Sequence, residues 1–179
     1  MRNKGSLLKE LPILVIVALV VSLFIKSFLV QFFYIPSGSM ENTLQIKDRV
    51  AVNKVPFISD NIKRGDVVVF KYPLDTRVDY IKRVVGMPGD RVIYRNKELM
   101  IRPKCEEQEG KTCPGFKKLD VKFEQRGEFS QMGIPLDRYT EQLGTVSHET
   151  LRNPLMPDLV DRYYRQPGTY PDEWVVPEG

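Results

Sequence analysis

The sequence predicts a mainly β protein, an antiparallel β domain carried behind one N-terminal transmembrane helix. Three observations point there. A nearly uninterrupted apolar run fills Leu11 to Ile25 and resumes from Phe28 to Ile35. After Leu44 come short stretches rich in β-branched and aromatic residues, separated by turn residues. At 179 residues the chain has room for one membrane segment plus one domain with a real core.

Residues 1–10 form a short basic head, with Arg2, Lys4 and Lys9 against Glu10. Taken as one helix, 11–34 would be about 36 Å long, enough to cross a hydrocarbon core of about 30 Å with some tilt. Lys26 and Gln31 fall toward one end, where an ammonium can snorkel and an amide can meet headgroups. A cleaved leader also begins with a basic head and an apolar run. Residues 26–36 offer no small-x-small cleavage pattern, so the expectation is an uncleaved anchor. The basic head favours an N-terminus inside and a domain outside. Lys47, Arg49 and Lys54 weigh against that charge argument, which leaves more of the case to the cysteines.

There are two cysteines, Cys105 and Cys113. Paired, they would close a short loop worth about 2.5 kcal/mol in the chain-entropy model. Two thiols do not fill a tetrahedral metal site, and the lone histidine, His148, is distant in sequence. A disulfide is favoured over two free thiols, which puts the domain on an oxidising, extracytoplasmic side. The formal charge of +4 is spread among mixed signs, which reads as a solvated surface and not as a nucleic-acid interface.

Strands are expected at Val50-Ala51-Val52, Asp66 to Tyr72, Val78 to Val85 and Arg91 to Tyr94. Three of them open alike, with Lys47-Asp48, Gly65-Asp66 and Gly89-Asp90 just ahead of the strand. This is turn chemistry. A phosphate loop would lead into a helix, and Arg64-Gly65-Asp66 reads as a turn before it reads as an adhesion tripeptide. From Arg102 the texture changes, with eight of the thirteen prolines between Pro103 and Pro177. That suggests a loop-rich excursion pinned by the cysteines, with short helices at Gly144 to Leu151 and Pro157 to Tyr164. Trp174-Val175-Val176 reads as a returning strand. The expected order is therefore a cytoplasmic head at 1–10, an anchor at 11–34, and a catalytic β core at 35–101. A loop-rich extracytoplasmic insertion at 102–173 and a return strand at 174–179 complete it.

The chemistry concentrates where the apolar run ends. Ile35-Pro36-Ser37-Gly38-Ser39-Met40 carries two serines, and an extended chain keeps Ser39 within roughly 18 Å of the membrane exit. Serine is a weak nucleophile until a base takes its proton. His148 lies in a polar stretch, Thr145 to Thr150, and reads as a surface or helix-end residue, so a Ser-His-Asp arrangement is not expected. The other route is a lysine made neutral by burial. Lys82 is the candidate, because strand alternation puts Tyr80, Lys82 and Val84 on one face. The plainer readings are a Lys82 that snorkels from an edge strand and a Ser39 that caps a helix begun at Met40. A helix N-terminus would also leave backbone N–H groups free to cradle an oxyanion.

These residues resemble the bacterial type I signal peptidases, membrane-anchored Ser/Lys endopeptidases. The likeness runs over nearly the whole chain. It comprises the apolar anchor, then Ile35 to Met40 with Thr43-Leu44, then Gly65-Asp66-Val67-Val68-Val69-Phe70, then Tyr80-Ile81-Lys82-Arg83-Val84-Val85-Gly86-Met87-Pro88-Gly89-Asp90. The resemblance implies Ser39 as nucleophile and Lys82 as general base, with the Ser39 N–H and the Ser37 hydroxyl as oxyanion hole. It implies pockets for small residues walled by Ile35, Met40, Leu44, Tyr80 and Ile81. It implies exported preproteins and the lipid bilayer as partners, no nucleic acid, no cofactor and no metal, at the plasma membrane with a single pass.

Two departures stand out. The family commonly has proline where this chain has Asn42. It also carries a Gly-Asp-Asn segment after the strand matched by Trp174 to Gly179, and this sequence stops short of it. The expectation is a truncated chain from an active enzyme. The alternative is a catalytically inactive, membrane-tethered peptide-binding module. A self-cleaving repressor shares the Ser/Lys pair, but residues 1–34 leave no room for its DNA-binding domain.

Overall fold

The computed structural model describes residues 4–55, 61–105, 112–129, 133–157 and 163–178. They fall into two units, Met1–Ile35 with Lys47–Ile62, and Pro36–Ile46 with Lys63–Gly179.

In the first unit, helix α1 spans Lys4–Phe24 and widens into a π-helical turn over Ile25–Leu29. The segment Glu10–Leu29 has a mean hydropathy of 2.5 over 20 residues, long and apolar enough to cross a membrane. Its apolar side chains are exposed all round, Ile13 and Leu14 by 64% and 63%. The helix expected over 11–34 therefore ends at Leu29. Beyond it β1 (Val30–Tyr34) pairs antiparallel with β2 (Arg49–Asn53). Hydropathy alone does not separate a strand from the end of an apolar helix, and here the β-branched and aromatic content of 30–35 prevails. Lys54 secures the switch, its N–H donating to Leu29 O at 2.9 Å and its ammonium to Ser27 O at 3.0 Å. The ladder extends to Ile35, which is 2% exposed, through Ile35 N–H to Asp48 O at 3.0 Å.

The second unit holds three antiparallel sheets. A ribbon is made of β3 (Val67–Tyr72) and β4 (Asp75–Arg83). A four-stranded sheet has the order β11-β5-β6-β7, from Glu173–Val175, Arg91–Arg95, Glu98–Arg102 and Lys117–Lys118. A three-stranded sheet has the order β10-β9-β8, from Val146–Arg152, Pro135–Leu143 and Asp120–Phe129. So the stretch read as loop-rich carries four strands. The helix expected at Gly144 to Leu151 is β10 instead. Gly144, at φ 63°, turns the chain straight back from Leu143, so that Val146 to Arg152 pairs residue for residue with β9. The second expected helix, Pro157 to Tyr164, lies largely outside the described residues.

The three look-alike openings are turns of one kind. Lys47, Gly65 and Gly89 have φ values of 78°, 94° and 83°, each just before an aspartate and a strand. Asp90 shows what that aspartate does. Its carboxylate is 3% exposed and accepts from Arg64 Nη2 at 2.6 Å, Met87 N–H at 2.6 Å and Lys104 N–H at 3.0 Å. A buried carboxylate with three donors ties the exit of β4 to the start of β5. Cys105 and Cys113 are joined, with Cα atoms 5.7 Å apart, in the connection between β6 and β7.

Candidate active site

Ser39 sits on a chain of tight turns and caps no helix. Glu41 N–H donates to Gly38 O at 3.0 Å, and Leu44 N–H to Met40 O at 2.7 Å. Asn42 stands at φ 71° within these turns, and its side-chain amide donates to Glu149 at 3.1 Å. Proline is locked near −65°, so the family's proline cannot occupy this backbone state, whereas asparagine tolerates it. The departure at Asn42 therefore comes with its own anchor to β10.

Lys82 reaches this turn from β4. Its ammonium donates to Ser39 Oγ at 2.5 Å, across 43 residues of sequence. The strand register explains its bed. Val68 lies opposite Lys82, and Phe70 lies opposite Tyr80. Tyr72 stacks on Tyr80 with ring centroids 4.6 Å apart, and Phe70 meets the same ring edge-on at 6.1 Å. The Lys82 ammonium stands 5.7 Å from the Tyr80 ring centre. Burial on this face pushes the amine below the ordinary lysine range. Among the described residues no carboxylate pairs with it to reverse that shift.

The adjacent Arg83 serves the opposite face. It donates to Gly65 O at 2.7 Å and to Thr43 Oγ1 at 3.0 Å, linking the serine turn to the opening of β3. Sequence reading did not single out Arg83, Thr43 or Glu149. The available signal was alternation, since a residue next to Lys82 must point the other way.

The remaining expected residues are placed as follows. Ser37 and Ser39 are exposed, and among the described residues no hydrogen bond ends on the Ser37 hydroxyl or the Ser39 N–H. Met40, Leu44 and Ile81 are half-buried, and Tyr80 is 38% exposed. Ile35 belongs to the first unit. His148 is neither on the surface nor at a helix end. It lies on β10 with a side chain 12% exposed, its Nε2 3.6 Å from Glu141. Burial, then the charge of Arg83, hold its pKa below the usual histidine value, with Glu141 pulling the other way. No group of His, Cys, Asp and Glu among the described residues has a metal-binding arrangement.

Ser39 and a desolvated Lys82 are thus in contact on an antiparallel β frame. Residues 8–140 match the family model described as signal peptidase, peptidase S26, and the chain belongs to that family. Signal peptidase I of Pseudomonas fluorescens is 36% identical over 99% of the chain and 58% of the relative. That of Pseudomonas aeruginosa is 32% identical over the same shares, and that of Haemophilus influenzae is 32% identical over 94% of the chain and 57% of the relative. The chain thus spans less than two thirds of the length of these relatives.

Proposed function

We propose that this chain is the catalytic part of a membrane-bound serine endopeptidase that removes signal peptides from exported preproteins. The observation that carries the reading is the 2.5 Å contact between Lys82 Nζ and Ser39 Oγ, with the amine on an apolar face. In the neutral form Lys82 takes the proton from Ser39, whose oxygen attacks the scissile carbonyl. The Ser39 N–H and the Ser37 hydroxyl stabilise the oxyanion. The lysine returns the proton to the departing amine, and a water deprotonated by the same lysine then frees the acyl group. Met40, Leu44, Tyr80 and Ile81 wall small pockets that reject bulky side chains by overpacking. The apolar helix holds the enzyme in the plasma membrane as a single pass. The Cys105–Cys113 bond and the basic head favour a catalytic domain on the extracytoplasmic face.

The test is to incubate the complete protein in detergent with a preprotein bearing Ala-x-Ala, and to sequence the new N-terminus. Cleavage after the second alanine that disappears in Ser39→Ala supports the reading. Binding of the preprotein without any cleavage would favour a tethered peptide-binding module instead.

A further inference from the structure

A pocket of about 470 Å³ opens beside Ser39 within the second unit. Among the described residues, its apolar walls come from Met40 of the serine turn, Ile134 and Leu136 at the start of β9, and Leu151 on β10. Its charged and titratable lining is mixed: Glu41, Arg83, His148 and Glu149, the last already bonded to Asn42. Neither Lys82 nor Tyr80 nor Ile81 contributes to it. The pocket thus reaches Ser39 past Arg83 and without Lys82.

A peptide whose scissile carbonyl rests on Ser39 has two halves that leave the oxygen in opposite directions. If the acyl half runs along Tyr80 and Ile81, the other half leads over Met40 into this pocket. We propose that the pocket is a specificity subsite for the segment that departs, taking one bulky apolar side chain from the first few residues after the cut. The inference rests on the peptidase reading and deepens it. The volume falls in the range of sites that enclose a whole side chain or small ligand. Selection here works by filling, whereas the small pockets on the acyl side work by exclusion. A large apolar residue would gain from burial against Leu136 and Leu151, whereas a charged one of either sign would meet a like charge, Arg83 or the Glu41 and Glu149 carboxylates.

The experiment uses the complete protein in detergent and peptides with Ala-x-Ala before the cut and alanines after it. Phe, Lys or Asp replaces each of the first few alanines in turn. Phe at one position is expected to raise kcat/KM about tenfold over Ala, as a filled apolar pocket allows. Leu136→Trp, which fills the pocket from within, is expected to bring the Phe/Ala ratio at that position close to unity. Leu151→Trp makes the same test if Leu136→Trp does not fold. A flat ratio at every position overturns the proposal, as does a ratio untouched by either tryptophan or a stronger response to Lys or Asp than to Phe. Ser39→Ala protein binding the same labelled peptides separates the two readings. A Phe preference in Kd, lost with Leu136→Trp, supports the subsite even if no peptide is ever cut by the wild type.

Discussion

The ribbon β3–β4 and the sheet β10-β9-β8 each bury part of a titratable base, and they do so in different ways. Lys82 lies on an apolar and aromatic face, desolvated, with Ser39 Oγ as its polar contact. His148 lies on a face built from charges, opposite Glu141, which accepts from Arg152 Nη2 at 2.6 Å and Thr150 Oγ1 at 3.1 Å. Both bases, an amine and an imidazole, are held below their usual pKa by burial. Only Lys82 touches Ser39. Lys82 is a desolvated base with no carboxylate paired to it among the described residues, while His148 stands beside ion-paired Glu141 with its buried Nδ1 unpartnered.

Lys82→Met breaks the first half of that contrast, keeping the length of the side chain and removing the base. A loss of about 10³-fold in kcat/KM is expected, in the range that positioned proton transfer supplies. Thermal stability should not fall, since no charge is left unpaired. The pH dependence carries the same signature. On the proposed mechanism the neutral amine is the working form, so activity should rise with pH through the folded pKa of Lys82, which burial sets below the ordinary lysine value. Below it, kcat/KM should drop about tenfold per pH unit. Tyr80→Ala uncovers the ammonium, and the acidic limb should move to higher pH. A limb that stays in place would mean that the ring does not desolvate the amine.

Glu141→Ala breaks the other half. Arg152, 16% exposed at its side chain, would lose its carboxylate partner, and a broken buried pair costs about 3 kcal/mol. Denaturant unfolding should register that loss. The Phe/Ala discrimination aside, cleavage measured well below the melting temperature should stay within a few-fold, because among the described residues no hydrogen bond or ion pair joins Glu141 to Ser39 or Lys82.

The same contrast separates what was legible in the sequence from what was not. Alternation put Lys82 on one face with Tyr80 and Val84 but suited a snorkelling edge lysine as well, and the resemblance in motif order singled it out. The turns before Asp66 and Asp90 were legible because glycine tolerates a positive φ. Sheet β10-β9-β8 was not, because its inward positions are Asp137, Tyr139, Glu141 and His148, with Asp137 only 4% exposed. A strand whose buried face is charged gives no period-two hydropathy, so the stretch looked like loop. At β1 the opposite failure occurred, since a strand that continues an apolar helix changes shape without changing hydropathy. The Ser39–Lys82 pair came from order and spacing of motifs. The pocket beside it left no local trace, because the serine turn and Arg83 meet there residues from Ile134 to Asn153, more than 90 positions downstream of Ser39.

His148→Gln is the smallest and sharpest test of the contrast. Gln is neutral, near in size and still able to hydrogen-bond, so cleavage at slightly alkaline pH should stay within about twofold. The difference should appear in stability against pH. In the folded state the imidazole binds its proton less readily than in the unfolded chain, where the usual value is about 6.5. The unfolded state therefore takes up more protons as pH falls, so stability is full above that value and is lost as pH drops through the folded one. Glu141 resists this loss and Arg83 adds to it. With Gln in place, the decline of Tm between about pH 7 and pH 5 should be shallower than in the wild type. A loss of cleavage as large as that of Lys82→Met would make His148 the base, and the assignment of roles to the two sheets would have to be reversed.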